Sequence, residues 1–226
     1  MRLLYAASAA LLAISAASPT LPAEKEAVPA ASTDPVPAGS YELDKAHASL
    51  IFRVNHVGFS NYTGRFSRFD AKLQFDPAHP ERSSVTVAID PASIQVESPP
   101  EGFLDSLRSA QWLDVAKFPA LAFRSTKVTR TGAKGLRIEG ELDLHGVKKP
   151  MTLEATYNGG YAGHPMDPHA RIGFSAHGTL KRSQFGVAYG IPAPGTTMGV
   201  GDDVEVIVEA EFSGPKWENA PKQSGR

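Results

Sequence analysis

Residues able to do chemistry are sparse in this chain. There are seven histidines and no cysteine, so disulfides, thiol catalysis and cysteine-ligated zinc are excluded. The best local candidate for a metal site among the histidines is His164, Asp167 and His169 in "HPMDPH". Its two prolines mark a turn between strands and its spacing matches no standard site, so no metal is assigned. The sequence contains no Gly-x-Ser-x-Gly elbow, no phosphate-binding glycine loop and no HExxH, so no catalytic residue and no cofactor is assigned either. His145 sits in the turn signal "HGVKKP", where a structural role is expected.

The elements around these residues read mainly as strands. In "DVEVIVEAEF" Val204, Val206, Val208, Ala210 and Phe212 share one face, and Asp203, Glu205, Glu209 and Glu211 share the other. That period of two marks a strand with one wet face and one dry face. The same arithmetic puts Leu50, Phe52 and Val54 on a dry face. It does the same for Val85, Val87 and Ile89, for Leu121 and Phe123, for Leu136, Ile138, Leu142 and Leu144, for Met151, Leu153 and Ala155, and for Ile172, Phe174 and Ala176.

With "HVGFSNYTGRFSRFDAKLQFDP" at residues 56–77 this makes about eight strands, separated by Gly, Pro, Asn and Asp turn chemistry. In that stretch Phe69, Ala71, Leu73 and Phe75 belong to the dry face, whereas Phe59, Tyr62 and Phe66 flank glycines and are expected at a rim. "PPEGFLDSLRSAQWLDVAKFP" breaks the alternation and predicts a short helix near residues 101–112, across one end of the sheet.

An antiparallel sheet of this size forms a sandwich or closes into a barrel. A membrane barrel is disfavoured, because Glu139, Glu141, Asp143, Glu205, Glu209 and Glu211 would then crowd a narrow lumen. In a soluble eight-stranded barrel the apolar interior is either filled by side chains or holds one elongated ligand, and the alternation does not choose between them.

The ends read differently. "MRLLYAASAALLAISAASPTLPAEKEA" has a basic start, an apolar run and small residues, the three parts of a secretory signal, assigned to residues 1–23. A Pro- and Ala-rich linker follows over 24–39, then the domain over 40–214 and a polar, solvated tail over 215–226, with docking of Trp217 on the domain as the alternative. The expected location is the periplasm or the exterior, with no membrane span in the mature chain. Basic and acidic residues number 23 and 24, for a formal net charge of -1, with no basic stripe; nucleic acid is not an expected partner.

"HVGFSNYTGRFSRFDAKLQFDP", "LRSAQWLDVAKFPALAFRSTKV", "GELDLHGVKKPMTLEA" and "RSQFGV" followed by "VGDDVEV" resemble, in order and spacing, the YceI-like family of bacterial secreted polyisoprenoid-binding proteins. The resemblance spans about Tyr41 to Phe212. It implies an all-β, extended, lipocalin-like barrel of eight antiparallel strands with a short helix near one end, whose pore takes a long isoprenoid or fatty-acyl chain without catalysis.

On that reading the tail-binding residues are Phe52, Val54, Phe69, Phe75, Leu121, Phe123, Leu142, Leu144, Phe174 and Val206. The mouth and head-group residues are His56, Phe59, Tyr62, Phe103, Arg108 and Trp112. His56 is also open to a hydrogen-bonded core role, and Arg108 to a helix surface charge or a tie to the barrel rim. Where family members often carry Asp and His before the Leu-Arg-Ser of the helix, this chain has Leu104 and Ser106, so no head-group contact is carried over to those two positions. The readings from other classes are a hydrolase or isomerase using the barrel as a chamber, and a secreted interaction module with a filled core. A homodimer is left open.

Overall fold

The alternating segments form ten strands in the computed structural model, which describes residues 34–218. The segment read as a secretory signal and the part of the expected linker up to residue 33 lie outside these residues, as does the expected tail beyond residue 218. The strands are β1 (Gly39–His56), β2 (Ser60–Phe66), β3 (Phe69–Phe75), β4 (Ser84–Ile89), β5 (Ile94–Val96), β6 (Leu121–Arg130), β7 (Gly135–Leu144), β8 (Val147–Tyr161), β9 (His169–Lys181) and β10 (Val200–Lys216). Among the described residues one α-helix, α1, spans Phe103–Arg108.

Eight of the strands close an antiparallel ring in the order β1-β3-β4-β6-β7-β8-β9-β10, with β10 returning to β1. This is the barrel that the resemblance implies, and one of the two arrangements that the alternation allows. Apolar side chains point inward, and the outer wall carries cross-strand ion pairs such as Lys127–Glu139 (3.2 Å), Arg137–Glu154 (2.7 Å) and Lys181–Asp203 (2.8 Å). Apolar inside and charged outside is the inverse of a membrane barrel.

β1 gives the barrel two unlike ends. Its first residues, Gly39–Glu42, pair with β3, and its last, Leu50–His56, pair with β2 instead, while β10 follows its other edge. β2 in turn pairs with β5. The end near Gly39 is therefore a closed ring. At the other end the wall parts beside β5, and α1 with the turns after it covers the gap.

The helix is shorter than the spacing of apolar residues suggests. Ser109 is extended (φ -71°, ψ 170°) and its hydroxyl donates to the Ser106 carbonyl at 2.7 Å, ending α1 at Arg108. A serine that satisfies a terminal carbonyl competes with the next turn of helix. Trp112 thus lies beyond the helix, in the turns that follow it.

Two glycines let large rings lie flat against the wall. A Cβ on Gly64 would stand 2.3 Å from the Phe52 ring, and one on Gly140 would stand 2.4 Å from the Phe123 ring. Both rings lie over a neighbouring strand at a site only glycine leaves open. At the closed end Trp217 docks on the domain instead of lying in a solvated tail: its Nε1 donates to Asp34 at 2.8 Å and its backbone N–H to the Pro168 carbonyl at 2.6 Å.

Between Leu43 and Ala48 the register of β1 against β10 shifts, and the bulge presents Asp44. The Asp44 carboxylate accepts from His47 at 3.0 Å and from the Ala46 N–H at 3.1 Å, and it pairs with Arg171, which also holds Asp167 at 2.6 Å. The hydrogen bond from His47, with help from Arg171 and Ala46, holds the carboxyl at about 2. A carboxyl whose folded value is depressed adds stability above its unfolded value, and that stability is lost as pH falls through the folded one. The midpoint of thermal unfolding should therefore drop between about pH 4 and pH 2, and Asp44→Asn should flatten that slope in a calorimetric pH series.

Candidate functional site

The inward residues enclose an apolar cavity along the barrel axis, in two chambers. The larger, about 560 Å³, lies at the helix end; the smaller, about 110 Å³, lies toward the closed end. Leu50, Val87, Phe123, Leu153 and Val208 line both and form a waist between them. Position along each strand sets the height: on β10, Val204 and Val206 face the larger chamber, and Ala210 and Phe212 face the smaller.

Below the smaller chamber the floor is aromatic. Phe75, Tyr157 and Phe174 pack with ring centres 5.4–5.5 Å apart, Tyr41 meets Phe75 edge-on at 6.2 Å, and Phe212 meets Phe174 at 6.2 Å. Tilted and edge-on pairs at these distances favour ordered packing. The Tyr41 hydroxyl donates to the Pro37 carbonyl at 2.7 Å, and burial, with the nearby Tyr157, pushes its phenol up to about 12. The floor is therefore uncharged.

All ten residues expected to take an apolar tail line this cavity. Phe52, Val54, Leu121, Leu142, Leu144 and Val206 face the larger chamber, Phe123 the waist, and Phe69, Phe75 and Phe174 the smaller chamber. Of the six residues expected at the mouth, His56, Tyr62, Phe103 and Trp112 line the larger chamber. His56 is exposed at the rim, its ring 6.0 Å from that of Tyr62.

Phe59 and Arg108 do not line the cavity. Phe59 follows a turn in which Val57 (φ 49°) and Gly58 (φ 76°) are left-handed, which carries its ring outward to 86% exposure. Arg108 is the rim tie: its Nε donates to the Ala92 carbonyl at 3.1 Å, and its guanidinium lies 3.5 Å from Asp105. Neither Leu104 nor Ser106 lines the cavity. His164 and Asp167 form a small bridge in the turn before β9, and Asp167 is held by Arg171.

A β-branched residue at positive φ is strained by roughly 1–2 kcal/mol. The Val57 N–H donates to the Gly199 carbonyl at 2.8 Å, which fixes the backbone in place. Val57→Asn keeps that bond and tolerates the left-handed conformation. It should raise unfolding stability by about 1 kcal/mol in urea titration.

Of the cavity-lining residues missing from the expected site, the buried charged one is Arg182. It lines the larger chamber, is 5% exposed, and lies with its guanidinium carbon 5.1 Å from the Trp112 ring. Its Nε donates to Gly201 (2.8 Å), one terminal nitrogen to Val187 (2.8 Å) and Tyr189 (2.9 Å), and the other to Val200 (2.7 Å), all backbone carbonyls. Burial lowers the pKa of the guanidinium, opposed by the charge of Asp202. The signal was present in the sequence: Phe174, Ala176 and Leu180 point inward, and the same parity carries on to Arg182.

A closed antiparallel barrel with a charged outer wall and a deep apolar channel open near one helix defines a hydrophobic-pocket barrel. Residues 41–212 match the model of the YceI-like domain, and the chain belongs to the YceI-like family. A UPF0312 protein of Pseudomonas putida strain W619 is 38% identical over 176 residues, covering 76% of this chain and 86% of that protein. A UPF0312 protein of Vibrio cholerae is 36% identical over 152 residues, 66% of this chain and 78% of that one.

Among solved structures, the YceI protein of Campylobacter jejuni is similar with a TM-score of 0.61 and 28% identity, over 72% of this chain and 90% of that one. BcnA of Burkholderia cenocepacia (TM-score 0.64, 23% identity, 75% and 98% coverage) shares the fold. So does a polyisoprenoid binding domain from Saccharophagus degradans (TM-score 0.52, 15% identity, 77% and 98% coverage).

Proposed function

We propose that this protein is an exported, non-enzymatic carrier that binds one long isoprenoid chain, of the polyprenyl or isoprenoid-quinone kind, in the barrel and takes it through the aqueous periplasm. The observation that carries this reading is the cavity itself. Its larger chamber falls within the roughly 300–1,000 Å³ of small-molecule pockets, and the waist below it is apolar throughout. Polar lining is confined to its two ends: His56, Glu97, Ser98 and Arg182 above, Ser83 and Ser84 below.

That distribution suits a long apolar tail with one polar end. Burying about 500 Å² of chain at roughly 25 cal/mol/Å² gives on the order of 12 kcal/mol gross, which leaves micromolar or tighter binding after association and ordering costs. The solved polyisoprenoid binding domain with the same fold supports the choice of chain class, and the signal-like N-terminus supports the compartment.

The test is native mass spectrometry of the protein purified from its own host, with organic extraction of bound species, alongside fractionation of the cells. A stoichiometric isoprenoid in the periplasmic fraction is the expected result. A protein that is unloaded, and stays unloaded when offered polyprenols, quinones and fatty acids, overturns the reading.

A further inference from the structure

We infer that the open end of the barrel docks on a lipid bilayer by inserting two uncharged loop tips, so that cargo passes between membrane and cavity without crossing water. This rests on the carrier reading and adds the surface where exchange takes place.

Three of the four large hydrophobic side chains most exposed among the described residues lie at this end: Phe59 (86%), Met198 (73%) and Tyr189 (52%). Each adjoins the cavity mouth. Phe59 is three residues from His56, Met198 is two from Val200, and Tyr189 meets Trp112 edge-on at 5.5 Å. The two tips are one surface, since Val57 donates to the Gly199 carbonyl at 2.8 Å.

Composition points to a lipid partner. The 19 residues from Ser183 to Gly201 include no Asp, Glu, Lys, Arg or His, where the chain's 21% charged content would place about four. Residues 193–198 are nevertheless all exposed. The other tip, residues 57–64, is likewise uncharged. An exposed patch of apolar and uncharged residues beside an apolar opening is costly in water and compatible with a membrane interface. With no cluster of lysines or arginines at the tips, the attachment should depend little on anionic lipid or on salt.

The test uses the full mature chain and the double variant Phe59→Ser/Met198→Ser, whose positions lie outside the cavity lining. Two things are measured: co-sedimentation with vesicles of phosphatidylethanolamine and phosphatidylglycerol, and the rate at which each protein withdraws a fluorescent geranylgeranyl probe from them. Equilibrium binding of a short, water-soluble farnesyl probe is the control. The expected result is that the double variant sediments less and withdraws the probe about tenfold more slowly, with unchanged affinity for the short probe.

Equal sedimentation and equal transfer by the two proteins, or no sedimentation of the parent, overturns the docking surface. A dimer that the double variant dissociates, without vesicle binding, also overturns it and makes the patch a face between copies. If neither protein binds the short probe, the carrier reading fails, while sedimentation still decides the docking.

Discussion

Phe123→Glu should abolish uptake of an apolar chain and destabilise the fold by about 3–5 kcal/mol. Phe123 is 5% exposed, and the other residues that line both chambers are Leu50, Val87, Leu153 and Val208. A carboxylate placed there meets no donor, so it takes up a proton and its pKa rises. A carboxyl raised above its unfolded value destabilises more as pH increases past that value. The variant should regain stability toward pH 4, opposite to the acid response expected from Asp44.

Val206→Phe separates blocked binding from unfolding. It puts an apolar ring into the larger chamber, where empty volume is available, and should weaken a long-chain probe about tenfold with little change in the urea midpoint. A folded Phe123→Glu protein that bound a fluorescent polyprenyl analogue as tightly as the parent would remove the waist from the path of the chain.

Most of the inward-facing set is legible because one rule decides it. A strand with one wet face and one dry face shows its inward set by parity, and parity alone places Val206, Leu142 and Phe174. Where parity is interrupted the sequence becomes ambiguous. Phe59 stands beyond a left-handed turn that reverses its direction, and no pattern of residue types announces a valine at positive φ. Trp112 shares helical spacing with Leu107, yet the Ser109 hydroxyl ends the helix between them. The division of β1 between β3 and β2 was also hidden, because alternation identifies a strand's faces and not its neighbours. That division is what parts the wall at the helix end, where α1 and the turns after it line the larger chamber.

Arg182→Met should cost about 3–5 kcal/mol and loosen the segment from Val187 to Val200 before the rest of the barrel. One guanidinium spans the carbonyls of Val187, Tyr189, Val200 and Gly201, and the plane of the Trp112 ring lies beside it. A hydrogen bond from a charged donor contributes roughly 1.5–3 kcal/mol, and a carbonyl left buried without a donor costs about 1–3. Methionine matches much of the stem and supplies no donor. Arg182→Lys keeps the charge but has a compact ammonium in place of a planar fork, so it should recover only part of the loss.

Hydrogen exchange locates the effect. The Val200 amide, which donates to the Gly190 carbonyl at 2.8 Å, should lose protection in Arg182→Met, while amides of β7 and β8 keep theirs until global unfolding. Because the tie sets the position of the uncharged tip that carries Met198, the same variant should also slow withdrawal of the probe from vesicles, even where the cavity still binds the short probe. An Arg182→Met protein with the parent's midpoint and an equally protected Val200 amide would show that water can replace the arginine, and that the loop is held by its own turns.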